Sequence, residues 1–152
     1  MPLTNIPSVD LKKFLSEDSV EKQEFVNEIG SAYEEIGFVS LKNHFLSDEL
    51  MEKLYKEVKA FFDLPEDVKR QYEKEELAGQ RGYVSFGKEH AKGSSKGDLK
   101  EFWHFGQEPD EDANLPETYP DNILVKELPE FHITGMQAYK ALEETGIYVL
   151  RA

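Results

Sequence analysis

The feature that most constrains this chain is its shortage of strand-forming segments. Three short stretches, 38–43, 82–86 and 99–105, carry the apolar and aromatic residues typical of strands, and 6–11 is a short extended segment. Two or three short strands do not make a stable sheet or close a barrel on their own. The 152 residues are nevertheless enough for a domain with a real core. We therefore expect an α+β region whose strands need partners.

The helices are easier to predict, because apolar residues recur at helical spacing. The first helix covers 20–36 and ends at Gly37, a residue suited to a C-terminal cap. The second begins after the N-cap Ser47 and stops before Pro65, where a short third helix starts. A last helix begins near Pro129 and continues to the end of the chain.

The last helix carries an apolar stripe that the chain does not obviously cover. The stripe consists of Phe131, Gly135, Ala138, Leu142 and Val149, and residues 147–150 are still apolar. A natural C-terminus usually carries a stop signal, so we expect that the chain has been cut. In that case strands 82–86 and 99–105 should pair poorly within the chain, the stripe should face open space, and exposed strand edges could support self-association.

Composition excludes several classes of protein. The net charge is −13, from 31 acidic against 18 basic residues, which disfavours binding to nucleic acid or to anionic membrane surfaces. The absence of cysteine rules out disulfides, thiolate chemistry and cysteine zinc sites within these residues. No apolar run has the length of a signal peptide or a membrane span, so we expect a cytoplasmic protein.

The chain lacks the usual patterns of catalytic residues. None of the four histidines precedes an Asp or Glu by two residues, and no pair has zinc-helix spacing; they are His44, His90, His104 and His132. There is no nucleophile elbow, and residues 93–97 resemble a phosphate-binding loop in composition only. The acidic runs 73–76 and 110–112 fit a solvated surface. We predict no catalytic residue and no metal ligand within this chain.

Two segments carry a mixture of charge and aromatic rings. Arg81-Gly82-Tyr83 stands at the entrance of one predicted strand, and residues 100–106 form most of another. Such mixed surfaces line small-molecule pockets. The alternative is that the strand packs its rings on the helices, with Lys100 and Glu101 at its rim. The pattern alone does not separate the two interpretations.

Several short motifs along the chain follow a recognisable order. They are Ile6-Pro7-x-x-Asp10-Leu11, Gly37-Phe38, Lys42-Asn43-His44, Phe61-Phe62-x-Leu64-Pro65, a charged run to Tyr72, Arg81-Gly82-Tyr83 and Asp98-x-Lys100-Glu101. In this order and spacing, the chain resembles the N-terminal region of the isopenicillin N synthase-like oxygenases, from Ile6 to about Leu150. One departure is Phe45, where the family usually has glycine after Asn-His.

The resemblance implies a fold and an activity. Members place N-terminal helices and a few strands against a double-stranded β-helix, or jelly roll, and that core would lie after residue 152, so 1–152 would be a truncated N-terminal region. Most members oxidise a small organic substrate with iron(II), O₂ and 2-oxoglutarate, although some dispense with 2-oxoglutarate. Their iron ligands, two His and one Asp, lie in the C-terminal half. The resemblance therefore implies no cofactor bound to this piece, which would be inactive alone.

The resemblance also suggests roles for single residues. The segment matching 81–86 lies near the barrel mouth in relatives, which makes Arg81 and Tyr83 candidates for substrate contact. Four further residues are assigned to the pocket wall or the scaffold: Phe86, Lys100, Glu101 and Trp103. A rival interpretation is a self-contained acidic protein-interaction module without catalysis, and the reading frame beyond Ala152 would separate the two.

Overall fold

The computed structural model describes residues 5–90, 92–93, 97–109, 116 and 119–152. The chain divides into two compact units, one formed by Met1–Asp48 with Lys140–Ala152 and the other by Glu49–Tyr139. The acidic run predicted at 110–112 lies outside the described residues, as does part of segment 93–97. Within the described ranges, no helix combines the length and the apolar character that a membrane span requires.

The first unit is built on two helices and a small parallel sheet. Its elements are β1 (Ser8–Asp10), α1 (Leu11–Leu15), α2 (Ser19–Glu35) and β2 (Ser40–Lys42), and the pairing sets Ser8 opposite Ser40. Strand β2 is shorter than the predicted 38–43. The core consists of Val9, Leu11, Phe25 and Ile29, with Tyr148 and Val149 from the end of the chain packed against it.

Helix ends in this unit follow local chemistry. The Asp18 carboxylate accepts a hydrogen bond from the Val20 N–H at 2.7 Å and so caps the start of α2. At the other end, Gly37 adopts a φ of +77°, and its N–H donates to the carbonyls of Ala32 and Tyr33. Glycine takes up this left-handed conformation at no steric cost, which confirms the predicted cap.

The second unit holds most of the aromatic residues. Its elements are α3 (Asp48–Phe62, with its first residue in the other unit), α4 (Glu66–Lys69), two 3₁₀ turns (Arg70–Tyr72 and Glu75–Leu77), β3 (Gly82–Val84), β4 (Phe102–His104) and the first part of α5 (Pro129–Arg151). The predicted helices are confirmed, with α4 shorter than expected because its last residues tighten into a 3₁₀ turn.

Phe61 lies at the centre of this unit's core. Its side chain is fully buried, and its ring stacks on Phe131 with centroids 5.0 Å apart. Edge contacts reach Trp103 at 4.7 Å and Tyr83 at 5.8 Å. Helices α3 and α5 and both strands of the unit therefore meet on one ring, which sets the position of β3 and β4.

The expectation that strands 82–86 and 99–105 pair poorly within the chain was wrong. β3 and β4 pair antiparallel, with Tyr83 opposite Trp103, although each ladder strand is only three residues long. Two further backbone bonds, Gly87 N–H to Asp98 C=O and Asp98 N–H to Glu89 C=O, extend the hairpin. The pairing holds because the rings of both strands pack on Phe61. Self-association through the remaining edges stays a prediction.

The apolar stripe predicted on the last helix divides in two. Phe131 and Ala138 are buried and Val149 packs on the core of the first unit, so this part does not face open space. Leu142 and Leu150 are exposed, Leu150 at 88%. The prediction is therefore correct only for the solvent side of α5.

Candidate functional site

All six residues singled out in the sequence lie on or beside the β3–β4 hairpin. Tyr83 and Trp103 face each other across the ladder, and the other four flank it: Arg81, Phe86, Lys100 and Glu101. The structure thus brings together residues that are up to 22 positions apart in the sequence. Their environments differ sharply.

Tyr83 is enclosed by the core. Its side chain is 1% exposed, and its hydroxyl donates a hydrogen bond to the Glu101 carboxylate at 2.5 Å. Burial raises the pKa of Tyr83 well above its ordinary value, and the neighbouring carboxylate raises it further. The phenol therefore stays protonated at neutral pH. A substrate would reach this hydroxyl only by displacing Glu101, and the substrate role of Tyr83 stays a prediction.

Glu101 is the acceptor of a partly buried ion pair. Lys69 Nζ lies 2.7 Å from its carboxylate, and the Lys69 side chain is only 7% exposed. Burial raises the pKa of Glu101, but the hydrogen bonds from Lys69 and Tyr83 outweigh it, so the pKa lies below its ordinary value. The carboxylate links β4 to α4 and orients the Tyr83 hydroxyl.

Trp103 lies within β4 and Lys100 two residues before it, and their surroundings differ. The Trp103 ring packs 5.0 Å from Phe131, and its indole N–H is buried without a hydrogen-bond partner among the described residues. Lys100 is half exposed and pairs with Glu89 at 2.8 Å and Asp98 at 3.4 Å. The hydrogen bonds to these two carboxylates raise the pKa of Lys100. The packed Trp103 ring and the charged Lys100 fit the packing alternative drawn from the sequence, and the pocket role of this segment stays a prediction.

Arg81 occupies a slot beside the hairpin. Its guanidinium lies against the backbone of Gly106, 5.4 Å from the centre of the Tyr119 ring, and Nη1 donates to the Gln80 carbonyl at 2.8 Å. Its Nε is buried and has no hydrogen-bond partner among the described residues. Phe86 leaves the hairpin on the solvent side and is 52% exposed.

A cleft of about 300 Å³ opens beside β3. Its wall includes Tyr83, Val84, Gly79 and the carboxylate of Glu73. Glu73 accepts hydrogen bonds from the Ser85 hydroxyl at 3.1 Å and the Ser85 N–H at 3.3 Å. The cleft wall therefore has a fixed acidic group next to the hairpin.

The described residues do not fit a metal centre. No group of three His, Asp or Glu side chains converges within these ranges. His104 Nδ1 hydrogen-bonds the Gly79 carbonyl at 2.5 Å, and His132 Nε2 lies 2.9 Å from Glu108. These two imidazoles already have protein partners. No reaction step can be derived through a metal held by these residues.

Sequence reasoning missed three residues of this region. Lys69 stands in a charged run where nothing distinguishes it from its neighbours, Gly106 ends the 100–106 segment without a role of its own, and Tyr119 lies in a loop without periodicity. The only available signal was the position of Gly106, directly after an aromatic strand. Contacts between distant loop residues leave no local pattern that could have shown them.

Comparison with known proteins decides the family. Residues 6–127 match the family described as non-haem dioxygenase in morphine synthesis, N-terminal. The chain belongs to this dioxygenase N-terminal family. Membership confirms the resemblance drawn from the motifs and favours it over an unrelated interaction module.

Relatives of the dioxygenase N-terminal region are similar along nearly the whole chain. A leucoanthocyanidin dioxygenase from Malus domestica is 32% identical over 148 residues, covering 96% of this chain and 39% of that protein. A crystal structure of a 2OG-Fe(II) oxygenase family protein from Caulobacter crescentus superposes with a TM-score of 0.80 at 32% identity, covering 97% of this chain and 47% of that one. A full-length Neurospora crassa protein, crystallised in complex with alpha-KG, has a TM-score of 0.73 at 26% identity, covering 96% of this chain and 45% of that one.

The chain corresponds to only part of the fold of these relatives. The chain spans less than half the length of these relatives. Within that span the dioxygenase N-terminal region is an α+β arrangement of helices and short strands, as the sequence predicted. The Malus relative is a dioxygenase, and the Caulobacter relative belongs to the 2-oxoglutarate–iron(II) oxygenases.

Proposed function

We propose that this chain is the N-terminal part of an oxidoreductase that oxidises a small organic substrate with iron(II), O₂ and 2-oxoglutarate. The observation that carries the proposal is the family match over residues 6–127, joined by 32% identity to an oxygenase structure with a TM-score of 0.80. In this proposal the present chain shapes the substrate pocket and is not active alone.

The metal and the cosubstrate would be held by a jelly-roll core encoded after residue 152. Two observations support this arrangement. The described residues contain no metal-binding group, and the chain covers only 47% of the Caulobacter protein. A facial set of two His and one carboxylate is the usual iron(II) site of such oxygenases, and it leaves open positions for cosubstrate and oxygen.

The metal assignment gives the first prediction. We expect the 152-residue chain, incubated anaerobically with iron(II), to retain far less than one equivalent after desalting, because no ligand set is available among the residues that the structure describes. A version extended through the downstream reading frame should retain one equivalent and decarboxylate 2-oxoglutarate. Metal analysis and CO₂ release measure the two properties. Stoichiometric iron on the short chain, or a stop codon directly after Ala152, would contradict the proposal.

The pocket role is assigned to the β3–β4 hairpin. Arg81 is the best placed of the candidates, because its side chain is only partly buried, whereas Tyr83 is enclosed by the core. Tyr83 would act mainly by shaping the wall, since its ring is buried and its hydroxyl is bonded to Glu101. Phe86, Lys100 and Trp103 would complete the wall.

Arg81→Ala in the extended enzyme gives the second prediction. Substrate-dependent 2-oxoglutarate turnover should fall about tenfold or more, because a hydrogen bond to a charged group contributes about 1.5–3 kcal/mol. Iron content and substrate-independent decarboxylation should stay near normal. The assay uses whichever small molecule stimulates the wild-type enzyme most in a screen.

Arg70→Ala is the matched control, because Arg70 is exposed and pairs with Glu66 at 2.9 Å. It should leave substrate turnover unchanged. The assignment of Arg81 fails if its replacement lowers iron content as much as turnover, or if both arginine variants behave alike.

A further inference from the structure

The slot around Arg81 is built more tightly than an exposed side chain needs. A Cβ placed on Gly106 would lie 1.8 Å from Arg81 Cζ and 1.9 Å from Nε, so the guanidinium rests directly on the glycine backbone. Only a residue without a side chain permits this approach. The φ of Gly106 is not in the left-handed region, so the glycine is required by the space and not by the backbone conformation.

Gly106 cannot move away from the guanidinium, because hydrogen bonds with the Asn122 side chain hold its backbone. Its N–H donates to Asn122 Oδ1 at 2.8 Å, and its carbonyl accepts from Asn122 Nδ2 at 2.8 Å. The amide of one side chain thus pairs with both polar groups of the glycine. Any side chain added at this position must therefore displace Arg81.

Tyr119 supplies an aromatic contact for the same cation. Its ring centre lies 5.4 Å from Arg81 Cζ, within the range of a cation–π interaction. The Tyr119 hydroxyl donates to the Gln107 carbonyl at 2.9 Å, which fixes the ring next to the residue that follows Gly106. The guanidinium has two preformed contacts, Gly106 and Tyr119, in addition to the Gln80 carbonyl.

The slot holds the partly buried guanidinium of Arg81, and no anionic side chain among the described residues pairs with it. Within the described ranges no carboxylate lies within 4 Å of Arg81, whereas Lys69 and Arg70 each have two. A partly buried charge is costly unless a group of opposite charge accompanies it. Arginine is well suited to carboxylates, because its planar fork of N–H donors matches their two oxygens.

We infer that Gly106 and Tyr119 are positioning residues that hold the Arg81 guanidinium ready for an anionic group, a carboxylate, on the ligand of this pocket. The inference rests on the proposed function for the identity of the pocket. It adds the chemical class of the ligand and two residues that determine its recognition. Neither residue needs to touch the ligand, since both act through Arg81.

The test uses the 152-residue chain labelled with ¹⁵N-arginine, with acetate as the probe. The three arginines, Arg70, Arg81 and Arg151, give separate Nε–H signals. The Arg81 signal should carry a ring-current shift from Tyr119 and should move saturably as acetate replaces chloride at constant ionic strength. The other two signals should move little. Gly106→Ala should remove the ring-current shift and weaken acetate binding about fivefold.

Two variants at position 119 separate positioning from general stability. Tyr119→Phe keeps the ring and should keep most of the acetate affinity, while Tyr119→Leu should lose it to the same degree as Gly106→Ala. The thermal midpoint of each variant reports on folding independently. A wild-type Arg81 signal that does not respond to acetate, or an unchanged affinity in both Gly106→Ala and Tyr119→Leu, would overturn the inference.

The titration contains neither iron nor 2-oxoglutarate. A negative result would therefore remove the anion slot while leaving the proposed oxygenase function intact. Conversely, a chain that binds acetate at Arg81 but whose extended form never acquires iron would retain the slot and lose the oxygenase proposal.

Discussion

Phe61→Ala is expected to lower the free energy of unfolding by about 4 kcal/mol, a typical loss when a buried aromatic residue in a core is truncated to alanine. The ring is fully buried and contacts Tyr83, Trp103 and Phe131, so its removal leaves a cavity that rigid neighbouring rings cannot fill. Urea unfolding followed by tryptophan fluorescence measures the change, because Trp103 is the only tryptophan and lies against Phe61.

Tyr55→Ala is the control on the same helix. Tyr55 is 70% exposed, so its truncation should change the free energy of unfolding by no more than about 0.5 kcal/mol. Equal effects of the two substitutions would show that Phe61 is not the centre of the second unit's core.

Glu101→Gln is expected to cost about 3 kcal/mol, since removing one partner of a partly buried ion pair leaves Lys69 with only the more distant carboxylate of Glu66, 3.7 Å from its amine. Lys69 is the residue left behind; its side chain is 7% exposed, and Glu101 Oε2 is 2.7 Å from its amine. The amide keeps the size of the carboxylate, so the loss reports on charge. Lys100→Gln, one position away and half exposed, should cost much less, because exposed ion pairs contribute little.

The loss of stability caused by Glu101→Gln should become smaller as the pH falls. The pKa of Glu101 is lowered in the folded protein, so its contribution is present above the carboxyl's unfolded pKa of about 4.3 and is lost as pH falls through the folded value. The stability difference between wild type and variant should therefore be constant near neutral pH and shrink in acid. A difference that stays the same in strong acid would mean that the ionised carboxylate is not its source.

The helices could be predicted from the sequence because their signals are local. Amphipathic spacing and the cap at Gly37 gave α2 nearly to the residue, and Ser47 with Pro65 bracketed α3. The strands were predicted too long, since pairing in β3 and β4 ends where the partner strand diverges. That limit depends on the neighbouring segment and is not encoded in either strand alone.

The candidate site was predictable in outline but not in its contacts. Mixed charge and aromatic character pointed to Arg81 and the 100–106 segment, which do lie together on one hairpin. The partners of these residues were not predictable, because Lys69 reaches Glu101 across 32 positions and Tyr119 reaches Arg81 across 38. Glu101 stands directly before β4, at the rim that one alternative from the sequence gave it, and its partly buried carboxylate also joins the strand to α4 through Lys69.

The division of the chain has a consequence for the order of folding during synthesis. Glu49–Tyr139 is continuous in sequence, so this unit is completely synthesised before the rest of α5 has been made. The other unit is discontinuous: Val9 and Phe25 are made early, but Tyr148 and Val149, which pack against their cluster, are made more than 120 residues later. Contacts between such distant positions form slowly because a long loop must close first. The nascent chain must therefore keep its first apolar segments from aggregating until α5 has been synthesised.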